Sequence, residues 1–232
     1  MVLFFTNSIK KDIATFENEE MRHIQNALRK ATGDNIHFTD GNGTFYTGEI
    51  LSVKKKSMEV RILSKNEKEP ISPYLHIAVA PTKNMDRIEW FVEKATELGV
   101  NEISFIQCKQ SERKHIKLDR LNRIAIAAMK QSLKAYQPKL NNLISFEEWV
   151  GAQSSSSLLI ACLQEDTLSF KEAFKESAST CICIGPEGGF REEEINLALG
   201  NGFKALSLGD FRLRTETAAL TSVSNFRLLN EE

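Results

Sequence analysis

Two short stretches near the C-terminus carry residue types able to do chemistry at close range. The first, Gly185-Pro186-Glu187-Gly188-Gly189, puts three glycines in five residues directly after the apolar run Thr180–Ile184. Without a Cβ, glycine leaves backbone N–H groups open to a ligand and lets a flat ring approach the chain. No Lys-Ser/Thr follows to make a nucleotide P-loop, and no Gly-x-Gly-x-x-Gly is present for a dinucleotide. Glu187 would repel a phosphate. The pentad therefore suits a ligand without phosphates or a cationic one, unless it is an ordinary turn between strand and helix. The second stretch, Leu206-Ser207-Leu208-Gly209-Asp210, ends a strand and is followed by Leu213-Arg214-Thr215-Glu216-Thr217-Ala218-Ala219, which opens a helix. Thr215 is the expected N-cap, with Glu216 and Thr217 in the first turn, where the helix dipole favours an acid. Two glycine-bearing loops and a polar helix start, all at strand ends, can form one concave site.

The elements that must position these loops follow from periodicity. Residues 75–80, 103–107, 158–163 and 180–184 are near-continuous apolar strands, and continuous apolar strands are buried on both faces. Helical patterns at 87–98, 118–136, 170–176 and 192–199 alternate with them; Ile88, Phe91, Val92 and Ala95 show the spacing plainly. This order predicts a parallel sheet covered by helices, with its ligand site at the carboxyl ends of the strands. The first 64 residues read as a separate β-rich unit. It holds an amphipathic helix near 19–31, a strand at 36–38, the turn Asp40-Gly41-Asn42-Gly43, and strands at 44–53 and 58–63 joined through Lys54-Lys55-Lys56. The polar segment Ser64–Pro73, with two prolines, has the composition of an interdomain linker. The expected division is 1–68 and 69–232.

At 232 residues, 41% hydrophobic and 26% charged, the chain has the composition of a globular protein of one large or two modest domains, not of a disordered or fibrous one. No apolar run approaches the roughly 20 residues of a bilayer span, and the start, MVLFFTNSIKKD, has no basic region before its apolar patch. A cytoplasmic protein is expected. The four cysteines, 108, 162, 181 and 183, lie in apolar strand-like runs, as reduced core thiols do. Cys181 and Cys183 would share a face of a strand, but no second Cys or His pair stands at ligand spacing, so no metal is expected. Trp90 and Trp149 sit at core-like helical positions.

The net charge of −1 hides an asymmetry. Between Lys109 and Lys139 there are nine basic residues against Glu112 and Asp119. An excess of this kind attracts a polyanion over about a Debye length, ~8 to 10 Å. Taken alone, it is more often a solvated helical face.

Taken together, Ile184-Gly-Pro-Glu-Gly-Gly-Phe190, Leu208-Gly209 and Leu213-Arg-Thr-Glu-Thr-Ala218 resemble the RsmE family of SPOUT-class RNA methyltransferases. Further matches are Lys94-Ala-Thr-Glu-Leu-Gly-Val100 after Lys83 and Arg87, and His23 with Leu28-Arg29 and Gly33-Asp34. The resemblance covers essentially the whole chain. It implies an α/β fold with a small N-terminal PUA-like β-barrel, a C-terminal SPOUT domain threaded by a trefoil knot, and a homodimer. The reaction it implies is methyl transfer from S-adenosylmethionine to N3 of a uridine in small-subunit (16S) ribosomal RNA, free or in the assembled 30S subunit. A same-fold enzyme acting on another RNA and a non-catalytic rRNA-binding assembly factor are the alternatives.

Carried over residue by residue, the resemblance implies a cofactor pocket of Leu163, Ile184, Gly185, Gly189, Leu208, Gly209, Leu213, Arg214, Thr215, Thr217 and Ala218. A sulfonium cation and an adenine suit a glycine-rich loop that is unfriendly to phosphate. Uridine N3 carries a proton that must leave, so a base, or a cation that stabilises the uridine anion, is required. Arg214 is the candidate for the developing charge on O2 or O4, or for a phosphate. Glu216 is the candidate proton acceptor, or the group that orients Arg214. With an RNA substrate the basic stretch gains a partner, and Arg22, Arg29, Lys83, Arg87, Arg113, Lys114, Arg120, Arg123, Lys130 and Lys134 become candidate RNA contacts. Two departures bear on that surface. Val2-Leu3-Phe4-Phe5 stands where the family has Arg before an aromatic pair, and Lys130-Gln131 with Lys134 replaces Glu-Gln followed by Arg.

Overall fold

The structure, a computed structural model, describes residues 2–27, 29–163, 167–173 and 179–230. Its contacts divide the chain into two units, 1–70 with 126–137, and 71–125 with 138–232.

The first unit is a six-stranded sheet of β1 (Leu3–Phe5), β2 (Ile9–Lys10), β3 (Ile13–Glu17), β4 (Asn35–Thr39), β5 (Thr44–Val53) and β6 (Ser57–Glu67), in the order β1-β4-β5-β6-β3-β2. Only the β1–β4 pair is parallel. Phe4, Phe16, Phe38, Ile50, Met58 and Val60 fill its core. The polar segment expected as linker is strand as far as Glu67, because Ser64–Glu67 continue the ladder against Thr47–Thr44. Backbone pairing alone holds this solvated extension, and polar side chains do not oppose it. The helix expected near 19–31 is shorter: α1 (Asn18–Arg22) passes into one π-helical turn, His23–Ala27, and Arg29 has left-handed φ of 51°. In the hairpin turn Gly43 has φ of 105°, and a Cβ there would collide with Tyr136.

The second unit holds a parallel sheet of β7 (Tyr74–Val79), β8 (Glu102–Gln107), β9 (Lys139–Ser145), β10 (Ser157–Ala161), β11 (Ser179–Ile184) and β12 (Lys204–Leu206), ordered β12-β10-β11-β7-β8-β9. The helices are α2 (Met85–Glu97), α3 (Leu118–Gln131, of which 118–125 belong here), α4 (Phe146–Gly151), α5 (Phe170–Ala173), α6 (Glu192–Gly200) and α7 (Thr215–Leu229). Alternate residues of each strand feed two cores. Leu75, Ile77, Val79 and Ile182 pack with Phe91 and Phe226, while Ala78, Cys181, Cys183 and Ile160 pack with Phe146, Trp149 and Phe203. Burial on both faces accounts for the unbroken apolar strands. Helix α3 stops at Gln131 instead of 136, because Leu133 takes φ of 53°. Trp90, expected in the core, is 44% exposed on the outer side of α2. The part of the fourth expected helix beyond Ala173 lies outside the described residues.

Strand order reverses at β7: β8 and β9 lie on one side of it, β11, β10 and β12 on the other. Such a switch point opens a crevice at the carboxyl ends of the strands.

Candidate active site

The carboxyl ends of β10, β11 and β12 stand side by side, with Ala161 in register with both Ile184 and Leu206. The loops that begin at Cys162, Gly185 and Ser207 therefore leave the sheet together. The pentad is held by its neighbours. Gly189 closes a turn by donating its N–H to the Pro186 carbonyl at 2.8 Å, with φ of 78°. A Cβ on Gly185 would meet the Phe190 ring at 3.0 Å. Glu187 accepts the backbone N–H of Lys83 at 3.1 Å, so its carboxylate tethers the loop after β7.

Helix α7 begins one residue earlier than expected. Arg214 is the N-cap in extended conformation and Thr215 is the first helical residue. The Thr215 hydroxyl donates to the Gly185 carbonyl at 3.0 Å, which takes it out of a capping role and stitches the two glycine-bearing loops together. Glu216 is 6% exposed. Its Oε1 lies 3.6 Å from Arg87 Nε on α2, and its Oε2 is buried with no hydrogen-bond partner among the described residues. The cation beside Glu216 is thus Arg87, not Arg214. The Arg214 side chain is exposed, because as N-cap it stands outside the helix.

The remaining pocket candidates sort by depth. Ile184, Thr215 and Ala218 are buried, Leu208 and Leu213 are partly buried against the core, and Arg214, Thr217, Gly209 and Leu163 are exposed, Leu163 to 88%. Gly209 has φ of 101°, and neither Gly189 nor Gly209 has any atom within 4 Å of where a Cβ would lie. Open backbone at two glycines, half-buried leucines and one buried unpaired carboxylate oxygen fit a ligand that is apolar in part and cationic in part, as S-adenosylmethionine is. One support was missed in the sequence. Glu194, 2% exposed, accepts the N–H groups of Lys109 at 2.8 Å and of Arg191 at 2.8 Å, fixing the loop after β8 to the start of α6. The acidic run Glu192–Glu194 at a helix start was the available signal.

Residues 68–227 match the family of RNA methyltransferase domains, and residues 16–63 match the RNA methyltransferase PUA domain. The chain belongs to this RNA methyltransferase family. A solved structure described as a probable rRNA-methyltransferase from Porphyromonas gingivalis is 36% identical, covers 100% of both chains and superposes with a TM-score of 0.91. The ribosomal RNA small subunit methyltransferase E of Neisseria gonorrhoeae, bound to S-adenosyl methionine, is 27% identical over 99% of this chain and 98% of its own, with a TM-score of 0.87. The enzyme of the same name from Bacillus subtilis is 28% identical over 224 residues, 89% of this chain and 86% of its length. The fold of this RNA methyltransferase is accordingly a PUA-like sheet unit and an α/β methyltransferase domain with a parallel sheet.

Several of the methyltransferase's basic candidates are already paired. Lys83 Nζ bonds Glu112 at 2.8 Å, Arg120 bonds Glu89 at 2.7 Å, and Lys130 reaches Glu20 at 2.7 Å. Arg113 donates to the Lys83 carbonyl, and Arg123 Nε lies 3.4 Å from the Asp119 carbonyl. Lys134 is half-buried just after α3. Lys114, Arg22 and Arg29 are exposed and make no side-chain hydrogen bond or ion pair among the described residues. Among those residues no cluster of three His, Cys, Asp or Glu side chains is arranged to hold a metal, and no helix is long and apolar enough to cross a membrane.

Proposed function

We propose that this RNA methyltransferase transfers a methyl group from S-adenosylmethionine to N3 of a uridine in small-subunit ribosomal RNA. The observation that carries the reading is the convergence of three strand-end loops on a site whose one buried carboxylate oxygen, Glu216 Oε2, is unpaired. The rRNA substrate and the cofactor follow the names and contents of the relatives.

When bound, S-adenosylmethionine supplies a methyl group on a sulfonium sulfur, and the protein's task is to line up N3 with it and take the N3 proton. Orientation of this kind contributes up to roughly 7 to 11 kcal/mol. In our reading, the backbone at Gly185, Gly189 and Gly209 and the side chains of Ile184, Leu208, Leu213, Thr215 and Ala218 hold the cofactor, with Leu163 and Thr217 at its mouth. Thr215 fixes the separation of two loops through Gly185. Glu216 Oε2 accepts the N3 proton, and Arg87 balances the carboxylate from its other side. Arg214, exposed and without a side-chain hydrogen bond or ion pair among the described residues, stabilises the negative charge that develops on O2 or O4.

Lys114, Arg22 and Arg29 are the cations most ready to contact phosphate. Lys83, Arg87, Arg113, Arg120 and Arg123 add to the positive potential of the methyltransferase unit, and Lys130 and Lys134 to that of the first unit. The reading includes a homodimer and a cytoplasmic enzyme acting on free rRNA or the assembled subunit. It also includes a knotted C-terminal segment, supported by β12 lying beside β10 and by α7 packing on α2, β7 and β11. The test is mass spectrometry of nucleosides after incubating purified protein and S-adenosylmethionine with unmodified small subunits. Accumulation of 3-methyluridine by the wild type, lost in Arg214→Ala, is expected. A product other than 3-methyluridine would refute the assignment.

A further inference from the structure

The loop between β12 and α7 exposes an aromatic ring that nothing in the reaction so far described uses. Phe211 is 85% exposed and, with Leu163, is one of the two most exposed large apolar side chains among the described residues; Leu228 follows at 66%. Its neighbours on the same loop, Leu208 and Leu213, turn inward and pack against the core, whereas Phe211 has no place in it. The cofactor's apolar contacts are therefore met on the inner side of this loop, and the ring stands on the outer side. Arg212 and Arg214, one and three residues further on, are exposed too and make no side-chain hydrogen bond or ion pair among the described residues.

We infer that Phe211 is the platform on which an unpaired base of the substrate RNA, at the methylation site, stacks as it enters. The inference rests on the proposed RNA methyl transfer and deepens it. Single-stranded RNA is recognised by splaying a base onto an aromatic face while cations hold the adjoining phosphates. The sequence Phe211-Arg212-Leu213-Arg214 places a ring and two guanidinium groups on one loop that ends two residues before Glu216, the carboxylate assigned to the N3 proton. An apolar protein surface would have no use for two unpaired guanidiniums beside the ring, and a bound adenine on the inner side would leave it in water. Phe211 is thus a positioning and substrate-selecting residue. It does not touch the reacting atoms.

The experiment compares wild type with Phe211→Ala, Phe211→Trp and Phe211→Leu on unmodified small subunits, reading KM, kcat, RNA affinity by fluorescence anisotropy and S-adenosylmethionine affinity by calorimetry. Phe211→Ala is expected to raise KM and weaken RNA binding by about 5- to 150-fold, the range that base–aromatic stacking supplies. Phe211→Trp should restore the wild-type value to within about threefold, and Phe211→Leu should not, because leucine keeps apolar area but has no π-face. Cofactor affinity should stay within twofold and the mass by light scattering should not change. Unchanged RNA affinity in Phe211→Ala, or equal rescue by leucine and tryptophan, would overturn the inference. So would a matching loss of cofactor affinity, which would make the ring a cofactor wall, or a fall in mass, which would make it a contact between copies. A wild type that binds the RNA but makes no 3-methyluridine would sink the proposed reaction and leave the stacking to be judged by anisotropy alone.

Discussion

At the amino end of the parallel sheet, the Glu102 carboxylate accepts from Tyr74 Oη at 2.7 Å, Lys139 Nζ at 2.9 Å and Asn141 Nδ2 at 2.5 Å. At the carboxyl end, Glu216 has one oxygen 3.6 Å from Arg87 and the other without a hydrogen-bond partner among the described residues. Both acids belong to the same domain, yet one is closed upon itself and the other held open. Around Glu102 the network continues, with His76 Nε2 2.8 Å from Ser104 Oγ and His76 Nδ1 3.5 Å from Cys181 Sγ. Burial alone would push Glu102 up. Nearby His76 and the bonds from Lys139, Tyr74 and Asn141 outweigh it and bring its pKa down to about 2. The unpaired atoms at that end are Trp149 Nε1 and Thr180 Oγ1, which are neutral, and Arg227 Nε, whose guanidinium is bonded through its other nitrogens to the Pro73 and Gly99 carbonyls and to Asn101 Oδ1. A buried carboxylate oxygen without a donor is far more costly, so its retention marks the end of the sheet where an incoming group completes the bonding. The satisfied end holds the strands, and the unsatisfied end does the chemistry.

That contrast breaks first at Glu216. Glu216→Gln keeps the shape and removes the proton acceptor, so kcat should fall by about 100- to 10,000-fold while S-adenosylmethionine affinity stays within about threefold. Single-turnover formation of 3-methyluridine measures the first and calorimetry the second. Activity within fivefold of wild type would move proton acceptance elsewhere. Gly189→Ala comes next. At φ of 78° a Cβ is strained, although no atom stands within 4 Å of it, so the cost lies in the backbone. Forcing the turn to relax, at about 1 to 2 kcal/mol, should weaken cofactor binding by roughly tenfold. The same substitution at Gly200, which is helical and equally unobstructed, should leave binding unchanged.

The carboxyl end was also the more legible of the two. Its glycines and the Arg-Thr-Glu-Thr helix start announce loops at strand ends within a few residues of one another, and β7, β8, β10 and β11 show as apolar runs because both their faces are buried. Strand β9, Lys-Leu-Asn-Asn-Leu-Ile-Ser, was missed because an edge strand beside water alternates weakly and carries asparagines that bond its neighbour. The three short strands β1 to β3 offer too few residues for a period. The length of α3 was overestimated because apolar spacing continues past the point where Leu133 turns left-handed. Within the site, the glycines were readable while their fastenings were not. Lys109 and Glu194 lie 85 residues apart, and Lys83 and Glu187 lie 104 apart. Long-range pairs of this kind leave no local pattern, and the pairing of Glu216 with Arg87 is another of them.

The amino end should yield effects on stability and none on turnover. A group whose folded pKa is depressed contributes stability above its unfolded pKa, and that contribution fades as pH falls through the folded value. For Glu102 the window runs from about 4.5 down to about 2. Glu102→Gln should therefore lower stability at pH 7 by about 1 to 2 kcal/mol, less than the whole shift would imply because its partner Lys139 is exposed to solvent screening. The gap between wild type and variant should narrow between pH 4.5 and 3 in urea titrations. A gap that stays constant across that range would show that shape, not charge, is what Glu102 contributes. The turnover of Glu102→Gln should equal that of wild type at pH 7.

Lys139 gives the smallest effect and the finest test of what closes that end. Its ammonium is 2.9 Å from Glu102 Oε1, but its side chain is 68% exposed, against 14% for Glu102. An exposed partner is screened by water and salt, and pairs of this type contribute about 0 to 1 kcal/mol. Tyr74 and Asn141 still donate to Glu102 when the lysine is gone. Lys139→Ala should thus cost about 0.5 kcal/mol or less in low salt, and nearly nothing at about 1 M salt, where the Debye length is ~3 Å. A loss as large as that of Glu102→Gln, independent of salt, would mean that the ion pair and not the neutral donors holds the carboxylate.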